Sequence, residues 1–264
     1  MNLASLVPEV CEIARRAANG ILEVYESEFA VEHKDDRSPL TAADLAAHRT
    51  IVEGLRKLMP DVPILSEESA TIDWEERRQW TRYWLVDPLD GTREFVKRNG
   101  EFTVNIALIE GDRSVLGVVQ APVDGSIAWA WRGGEAWMAN ADGEVRRCRT
   151  RPRVSPLIVA GSRSHGNPRL DGMLDRLGPH ELVPLGSSLK FLFIAAAKAD
   201  LYVRLGPTSE WDTAAAQCVL EEAGGSVIDL QGNPLRYNTK ASLLNPEFIA
   251  CGDPAQDWAS LLAG

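Results

Sequence analysis

The stretch YWLVDPLDGT, residues 83–92, places two aspartates directly after an apolar run. The run YWLV is typical of a buried strand, and Asp87 and Asp90 follow it on either side of Pro88. Like charges this close repel each other, and burial increases the cost. Pro88 disfavours a helix and predicts a turn at the strand's end. Such a turn aims both carboxylates and the Leu89 carbonyl at one point, an all-oxygen set suited to Mg²⁺.

An anion-binding segment is predicted directly beyond these acids. Gly91 and Thr92 begin a short helix, TREFVKR, and free N–H groups at a helix N-terminus bind phosphate oxygens. Haloacid dehalogenase phosphatases also carry acids before Gly-Thr, but as Asp-x-Asp, with the first Asp as the nucleophile. Here Pro88 stands two residues before Asp90. The spacing therefore disfavours an aspartyl-phosphate mechanism and favours attack by metal-activated water.

Two further groups of acids stand where secondary-structure elements begin or end. Glu67 and Glu68 follow the apolar strand PIL, and Asp212 lies at the start of a helix. Taken alone, the two glutamates are compatible with a solvated pair, and Asp212 with a charge in the first turn of a helix. Because site residues collect at such positions, we expect these acids to join the aspartates of the DPLD motif.

Composition and charge exclude several classes of protein. The chain has 264 residues and a formal net charge of −10, which argues against binding of nucleic-acid polymers. Its four scattered cysteines have no C-x-x-C spacing, so they predict neither a zinc site nor a disulfide framework, and a cytoplasmic location is the simplest expectation. No signal peptide or transmembrane span is predicted. Peripheral attachment to a membrane, such as the inner membrane, is left open.

Periodicity predicts an α/β (α+β) chain in two parts, with residues 1–150 forming helices plus an antiparallel sheet and residues 151–264 an α/β subdomain. Helices are expected over 3–26, from an N-cap at Thr41 to about residue 59, from Pro168, and over 187–199, 210–225 and 254–262. Strands are expected over 63–68, 83–87, 103–110, 114–122, 126–134, 157–162, 181–185, 200–205, 226–230 and 247–252.

The basic run RRCRTRPR, residues 146–153, joins the two parts. It is typical of a solvated linker, and contact with a substrate phosphate or with a partner is the alternative. Trp129, Trp131 and Trp137 are expected to pack in the sheet rather than to stack on a nucleotide base.

Several longer stretches show a resemblance to a known family. The chain resembles the lithium-sensitive inositol monophosphatase superfamily in DPLDGT, in the upstream Glu-Glu pair and in the downstream WD…AGG. Further stretches are similar to the bacterial 3′(2′),5′-bisphosphate nucleotidase branch of this superfamily. They are KDDRSPLTAAD (34–44), PILSEES (63–69), the block from Tyr83 to Glu110, GSRSH (161–165), GSSLKF (186–191), LYVRLGPTSEWDTAAA (201–216) and SLLNPEF (242–248).

The resemblance implies a layered αβαβα sugar-phosphatase fold and Mg²⁺-dependent hydrolysis of 3′-phosphoadenosine 5′-phosphate, with two or three ions. It implies a first metal on Glu67, Asp87 and the Leu89 carbonyl, and a second on Asp87, Asp90 and Asp212. Asp44 and Thr92 would orient and deprotonate the attacking water, with Glu67 as the other possible base. The substrate would contact Glu67, Leu89, Asp90, Gly91, Thr92, His165, Ser187, Lys190, Arg204 and Asp212.

Two other functions stay open at this point. The same residues could hydrolyse inositol monophosphate or another sugar phosphate, although the GSSLK segment and Arg204 suit a substrate with a second phosphate. A non-catalytic nucleotide or metal sensor would be expected to have lost a metal ligand or the water-activating pair, and the sequence retains both.

Overall fold

The structure is a computed structural model that describes residues 2–27, 39–162 and 168–263. Its strands form two sheets, and its helices pack on the faces of those sheets. The α-helices are α1 Val7–Glu26, α2 Pro39–Leu58, α3 Trp74–Arg77, α4 Thr92–Val96, α5 Pro168–Asp175, α6 Leu189–Ala195, α7 Glu210–Glu222 and α8 Trp258–Ala263. The strands are β1 Ile64–Ser66, β2 Arg82–Asp90, β3 Thr103–Glu110, β4 Arg113–Gln120, β5 Ile127–Trp131, β6 Ala136–Ala139, β7 Val145–Cys148, β8 Leu157–Ser162, β9 His180–Leu185, β10 Leu201–Arg204, β11 Ser226–Asp229 and β12 Phe248–Cys251.

Five layers alternate through the molecule. Helices α1 and α2 cover one face of the first sheet with an apolar cluster that includes Ile21, Ile51 and Trp84. Helices α6 and α7 lie between the two sheets, where Phe191 and Val219 belong to a second cluster. Helices α5 and α8 close the outer face of the second sheet. The predicted αβαβα arrangement is confirmed.

The first sheet has seven strands in chain order, β1 to β7, and the second has the order β11-β12-β10-β8-β9. The second sheet mixes parallel and antiparallel pairs. The first sheet is not purely antiparallel, because β1 pairs with β2 in parallel. The connection between them carries α3, and a parallel pair needs a long crossover of this kind. The division of the chain at residue 150 stays a prediction.

The second helix begins three residues earlier than predicted. Thr41 lies inside α2 instead of capping it, because the helix starts at Pro39. Proline fits the first helical position, where its fixed φ suits the helix and its missing N–H needs no partner. Asp44 therefore lies in the second turn of α2, not in its first.

The basic run is not a solvated linker throughout. Arg146 and Arg147 belong to the edge strand β7, and Arg147 forms an ion pair with Glu135 across the hairpin. Further along, the Arg151 guanidinium donates two hydrogen bonds to Asp200, at 2.7 and 3.0 Å. Arg147 is therefore ordered within the first half of the chain and Arg151 within the second. Positive charge on an edge strand also discourages pairing with other chains.

The tryptophans predicted to pack in the sheet do so. Trp129 and Trp137 are opposite each other in the β5–β6 pair, and Trp129 and Trp131 pack against the cluster beneath α1 and α2. None of the described helices is long and apolar enough to cross a membrane.

Candidate active site

Three carboxylates from separate stretches of the chain meet at one point. Asp87 and Asp90 come from the end of β2, and Asp212 comes from the first turn of α7. One carboxylate oxygen from each lies within 4.8 Å of the others. Residues more than 120 positions apart in sequence thus form one acidic cluster, as the sequence predicted.

A bulge in β2 aims the two aspartates, and this corrects the predicted turn. The strand does not end at Asp87 but continues through Pro88 to Asp90. Asp87 is opposite Asn105 and Asp90 is opposite Thr103, so β2 holds one extra residue in this interval. Proline is tolerated at a bulge because the ladder needs no N–H there.

Hydrogen bonds from the second half of the chain hold Asp90. Its Oδ2 accepts a hydrogen bond of 2.6 Å from the Ser187 hydroxyl and one of 2.7 Å from the Ser188 N–H. The hydroxyls of Ser187 and Ser188 lie 2.5 and 2.7 Å from that of Thr103, and Ser188 also donates to Asn105. In this structure the Ser187 hydroxyl is therefore engaged with the acidic cluster.

This arrangement explains why α6 is shorter than the predicted helix over 187–199. Ser187 has a φ of 53° and Ala197 a φ of 57°, both in the left-handed region. Non-glycine residues visit this region seldom and do not continue a right-handed helix there. The helix is therefore confined to Leu189–Ala195.

Asp212 is held by the start of its own helix. Its Oδ2 accepts the Ser209 N–H at 2.9 Å, and Ser209 caps α7 in return, which makes a capping box. The same carboxylate therefore serves the helix cap and belongs to the acidic cluster. The two interpretations of Asp212 that the sequence allowed are both realised.

Glu67, Glu68 and Asp44 extend the cluster on the side of α2. The carboxylate of Glu67 interacts with Asp87, and Glu68 with Asp44. Burial, followed by the charges of Glu68 and Glu67, raises the pKa of Asp44 to about 8. Partial desolvation raises the pKa of Glu67, against the lowering effect of its hydrogen bond with Asp87. Both glutamates of the pair therefore border the acidic cluster.

The electrostatics of the cluster fit a divalent cation. Burial raises the pKa of Asp87 well above its usual range, and the negative charges of Asp90, Glu67, Asp212 and Asp44 raise it further. Burial and the charge of Asp90 raise the pKa of Asp212 to about 7. Oδ1 of Asp44 is buried without a hydrogen-bond partner. Such oxygens repel one another until a hard cation compensates their charge.

Gly91 and Thr92 begin the short helix α4, as predicted. Gly91 has a φ of 98°, and a Cβ there would lie 3.1 Å from the Glu101 carbonyl oxygen and 3.2 Å from the Phe102 Cα. Only glycine therefore fits between the DPLD motif and the helix. Both residues line a cavity that opens beside Asp90.

This cavity, of about 600 Å³, also has a basic wall, formed by Lys190 and Arg204. Lys190 is buried, and its Nζ donates to the Ser187 carbonyl at 2.7 Å and lies 5.2 Å from the Tyr202 ring centre. Burial lowers the pKa of Lys190 to about 8. Arg204 lies at the end of β10 and donates to the Gly206 and Pro207 carbonyls. The cavity therefore brings Ser187, Lys190 and Arg204 together with Asp90 and Asp212, while His165 lies outside the described residues.

Three residues around the cluster, Thr103, Asn105 and Glu210, were not predicted from the sequence. Thr103 and Asn105 sit on β3, opposite the DPLD bulge, and Glu210 is fully buried two residues before Asp212. Polar residues inside the apolar run TVNIALIE, and an acid directly before the WD pair, were the available signals.

The molecule has five alternating layers, and its acidic cluster lies between the ends of β1 and β2 and the start of α7. These features define a phosphatase of the layered αβαβα class. The chain belongs to the inositol monophosphatase family, whose model matches residues 2–259. This confirms the family resemblance noted in the sequence.

Curated relatives and solved structures narrow the similarity within the family. The chain is 49% identical over 245 residues to the 3′(2′),5′-bisphosphate nucleotidase CysQ of Escherichia coli (strain K12), covering 92% of this chain and 98% of the relative. It is 36% identical over 258 residues to CysQ of Haemophilus influenzae, covering 97% and 96%. The crystal structure of CysQ from Bacteroides thetaiotaomicron superposes with a TM-score of 0.87 at 37% identity, covering 95% of this chain and 98% of that one.

Proposed function

We propose that this phosphatase is a Mg²⁺-dependent 3′(2′),5′-bisphosphate nucleotidase that converts 3′-phosphoadenosine 5′-phosphate to AMP and phosphate. The observation that carries the proposal is the convergence of Asp87, Asp90 and Asp212 beside a cavity that also contains Lys190 and Arg204. The names of the curated CysQ relatives, at 36–50% identity, support the same activity.

The residues that would hold the metals are those of the acidic cluster. Glu67, Asp87 and the Leu89 carbonyl would hold one ion, and Asp87, Asp90 and Asp212 would hold a second. A bound Mg²⁺ supplies positive charge that makes water more acidic and neutralises charge on a transferring phosphoryl group. Once the ions are bound, the cluster would also attract a phosphate, which the chain's net charge of −10 otherwise repels.

Residues around the cluster would handle the reacting atoms. The N–H groups of Gly91 and Thr92 would bind the scissile phosphate, in keeping with their place at the start of α4. The Thr92 hydroxyl would orient the attacking water. Because a threonine hydroxyl is a weak base, Asp44 or Glu67 would accept the proton. Asp44 is buried, with one oxygen free of hydrogen bonds, and so has the capacity to do so.

The basic wall would select a substrate with a second phosphate. Lys190 is a cation buried in the cavity, and Arg204 lies beside it. Charge-assisted hydrogen bonds to phosphate are stronger than neutral ones. A bisphosphate nucleotide could place one phosphate at the acidic cluster and the other against this wall, together with Ser187 and, as the family resemblance implies, His165. An inositol monophosphate would leave the wall without a partner.

A panel of phosphorylated substrates tests the proposal. Phosphate release would be measured with 3′-phosphoadenosine 5′-phosphate, 3′-AMP and inositol 1-phosphate, each with Mg²⁺ and with EDTA. We expect the bisphosphate to give the highest kcat/KM and EDTA to abolish release. Faster turnover of inositol 1-phosphate would instead assign the chain to the sugar-phosphate phosphatases. No turnover of any substrate at any divalent ion concentration would favour a sensor.

A cytoplasmic location remains a prediction of the sequence. Peripheral attachment to a membrane gains no support from the residues that the structure describes, and we do not propose it.

A further inference from the structure

One segment of the second half wraps the start of α7. Residues 238–245 run past the helix N-terminus, and the Leu243 carbonyl accepts the Glu210 N–H at 2.8 Å. Ser209 and Leu244 form an isolated antiparallel bridge, and the Asn245 N–H donates to the Thr208 carbonyl at 2.8 Å. The backbone that presents Asp212 is thus joined to this segment on both sides of the helix start.

Glu210 is the charged contact between the helix and the segment. Its side chain is 0% exposed, and its Oε2 accepts the Asn238 N–H at 2.8 Å. Oε1 has no hydrogen-bond partner and lies 3.9 Å from the Lys240 Nζ. Acids are rarely buried in this way unless their charge is compensated. Each carboxylate oxygen of Glu210 therefore lies beside a residue of the segment 238–245, Oε2 beside Asn238 and Oε1 beside Lys240.

Two further side chains fasten the same segment. The Asn245 amide donates to the Ser209 carbonyl at 2.7 Å and to the Thr213 hydroxyl at 3.1 Å, one contact on each side of Asp212. On the far side, the buried Arg77 guanidinium donates to the Asn238 side chain at 2.6 Å and to the Ala241 carbonyl. The Asn238 amide returns a hydrogen bond of 2.6 Å to the Arg77 carbonyl.

Asp212 needs such support because its position is electrostatically unfavourable. It lies within 4.8 Å of two other carboxylates, and their repulsion pushes the start of α7 away from β2 whenever cations are absent. Its own capping bond to Ser209 fixes it only relative to the helix. The contacts of Glu210 and Asn245 fix the helix start relative to the rest of the molecule.

We propose that Glu210 and Asn245 are positioning residues for the metal site, which hold Asp212 at the distance where it shares a cation with Asp87 and Asp90. This inference rests on the proposed function, since it assumes that Asp212 is a metal ligand. Neither residue is expected to touch the substrate or the reacting atoms. Supporting contacts of this kind typically affect metal affinity by about 10- to 100-fold.

The test compares Mg²⁺ affinity, measured by isothermal titration calorimetry, in matched variants. Glu210→Gln removes the charge but keeps the shape, and Glu222→Gln makes the same change near the other end of α7, where the carboxylate accepts the Gly133 N–H. The two positions are about 18 Å apart along the helix. We expect Glu210→Gln to bind Mg²⁺ at least about tenfold more weakly and Glu222→Gln to bind within about twofold of wild type.

A double variant separates positioning from general stability. If Glu210 acts through Asp212, Glu210→Gln should weaken Mg²⁺ binding little further in an Asp212→Asn background, because contributions of coupled residues are not additive. In activity assays the Mg²⁺ concentration for half-activation should rise, while kcat at saturating Mg²⁺ should stay close to wild type. An unchanged half-activation concentration with a reduced kcat would overturn the proposal.

The remaining outcomes are also decisive. Equal Mg²⁺ affinity in wild type and Glu210→Gln, or equal losses in Glu210→Gln and Glu222→Gln, would overturn the positioning role while leaving the proposed function intact. Absence of Mg²⁺ binding by the wild type would instead overturn the proposed function. If Glu210→Gln does not fold, as judged by circular dichroism, Asn245→Ala replaces it in the same cycle and must show the same coupling to Asp212.

Discussion

Replacing Asp212 by asparagine should stabilise the metal-free protein while it removes activity. Asp212 and Asp90 have carboxylate oxygens within 4.8 Å of each other, and burial, followed by the charge of Asp90, raises the pKa of Asp212. At pH 8, above that pKa of about 7, Asp212 is largely ionised. Neutralising Asp212 therefore removes a repulsion that no cation compensates once EDTA has removed the divalent ions.

The size of the effect follows from the distance. Two unit charges at this separation repel by about 3 kcal/mol at an effective dielectric constant of about 20. Asp212 and Asp90 are both partly exposed, so we take about half of that value. The loss of a negative charge at the helix N-terminus subtracts about 0.5 kcal/mol. The remaining gain of about 1 kcal/mol corresponds to a rise in Tm of about 3 °C for a chain of this size.

Differential scanning calorimetry in EDTA at pH 8 measures the prediction directly. The control is Asp171→Asn, an exposed acid in the first turn of α5, which should lower Tm slightly because only the helix contribution is lost. With saturating Mg²⁺ the order should reverse, because wild type gains more stability from the ion. A metal-free Asp212→Asn protein no more stable than wild type would refute the account of a repulsive cluster.

Two further outcomes follow from the same site. The pKa values of Asp44 and Asp212 are raised to about 8 and about 7, so the metal-free native state holds more protons than the unfolded chain. Its Tm in EDTA should therefore fall from pH 5 to pH 8, and saturating Mg²⁺ should flatten this dependence. A Tm in EDTA that rises over this range would contradict the prediction. Lys190→Gln should raise KM for the bisphosphate about tenfold or more but leave KM for 3′-AMP nearly unchanged. Lys198→Gln, at an exposed lysine, is the control. Equal changes in KM for both substrates would remove Lys190 from the second-phosphate site.

Much of the fold was predictable because its signals are local. The apolar periodicity of α1, the apolar runs of β3 and β4 on either side of a Gly-Asp turn, and the glycine pair that follows α7 each depend on neighbouring residues. The meeting of Asp87, Asp90 and Asp212 was also predictable, since each stands at the boundary of an element. The family resemblance then added the expected layers.

The features that were not predicted depend on contacts between residues that are far apart in the sequence. The bulge at Pro88 exists because β3 fixes the register on both sides of it, and no feature of DPLD alone shows this. Ser187 leaves the helical conformation to bond with Asp90, 97 residues away. The sequence predicts a solvated linker where β7 forms, because the run is rich in arginine, and the pairing of β7 with β6 decides its conformation.

The place of α7 between the two sheets has a consequence for biosynthesis. The helix packs on β3 and β4 of the first sheet and also contacts β11 of the second, and it delivers the last acid of the cluster. An N-terminal fragment that stops before α7 has Asp87 and Asp90 but lacks their third partner. With the proposed metal site, a chain emerging from the ribosome would become able to hydrolyse phosphoesters only after α7 has been synthesised and has docked on the first sheet.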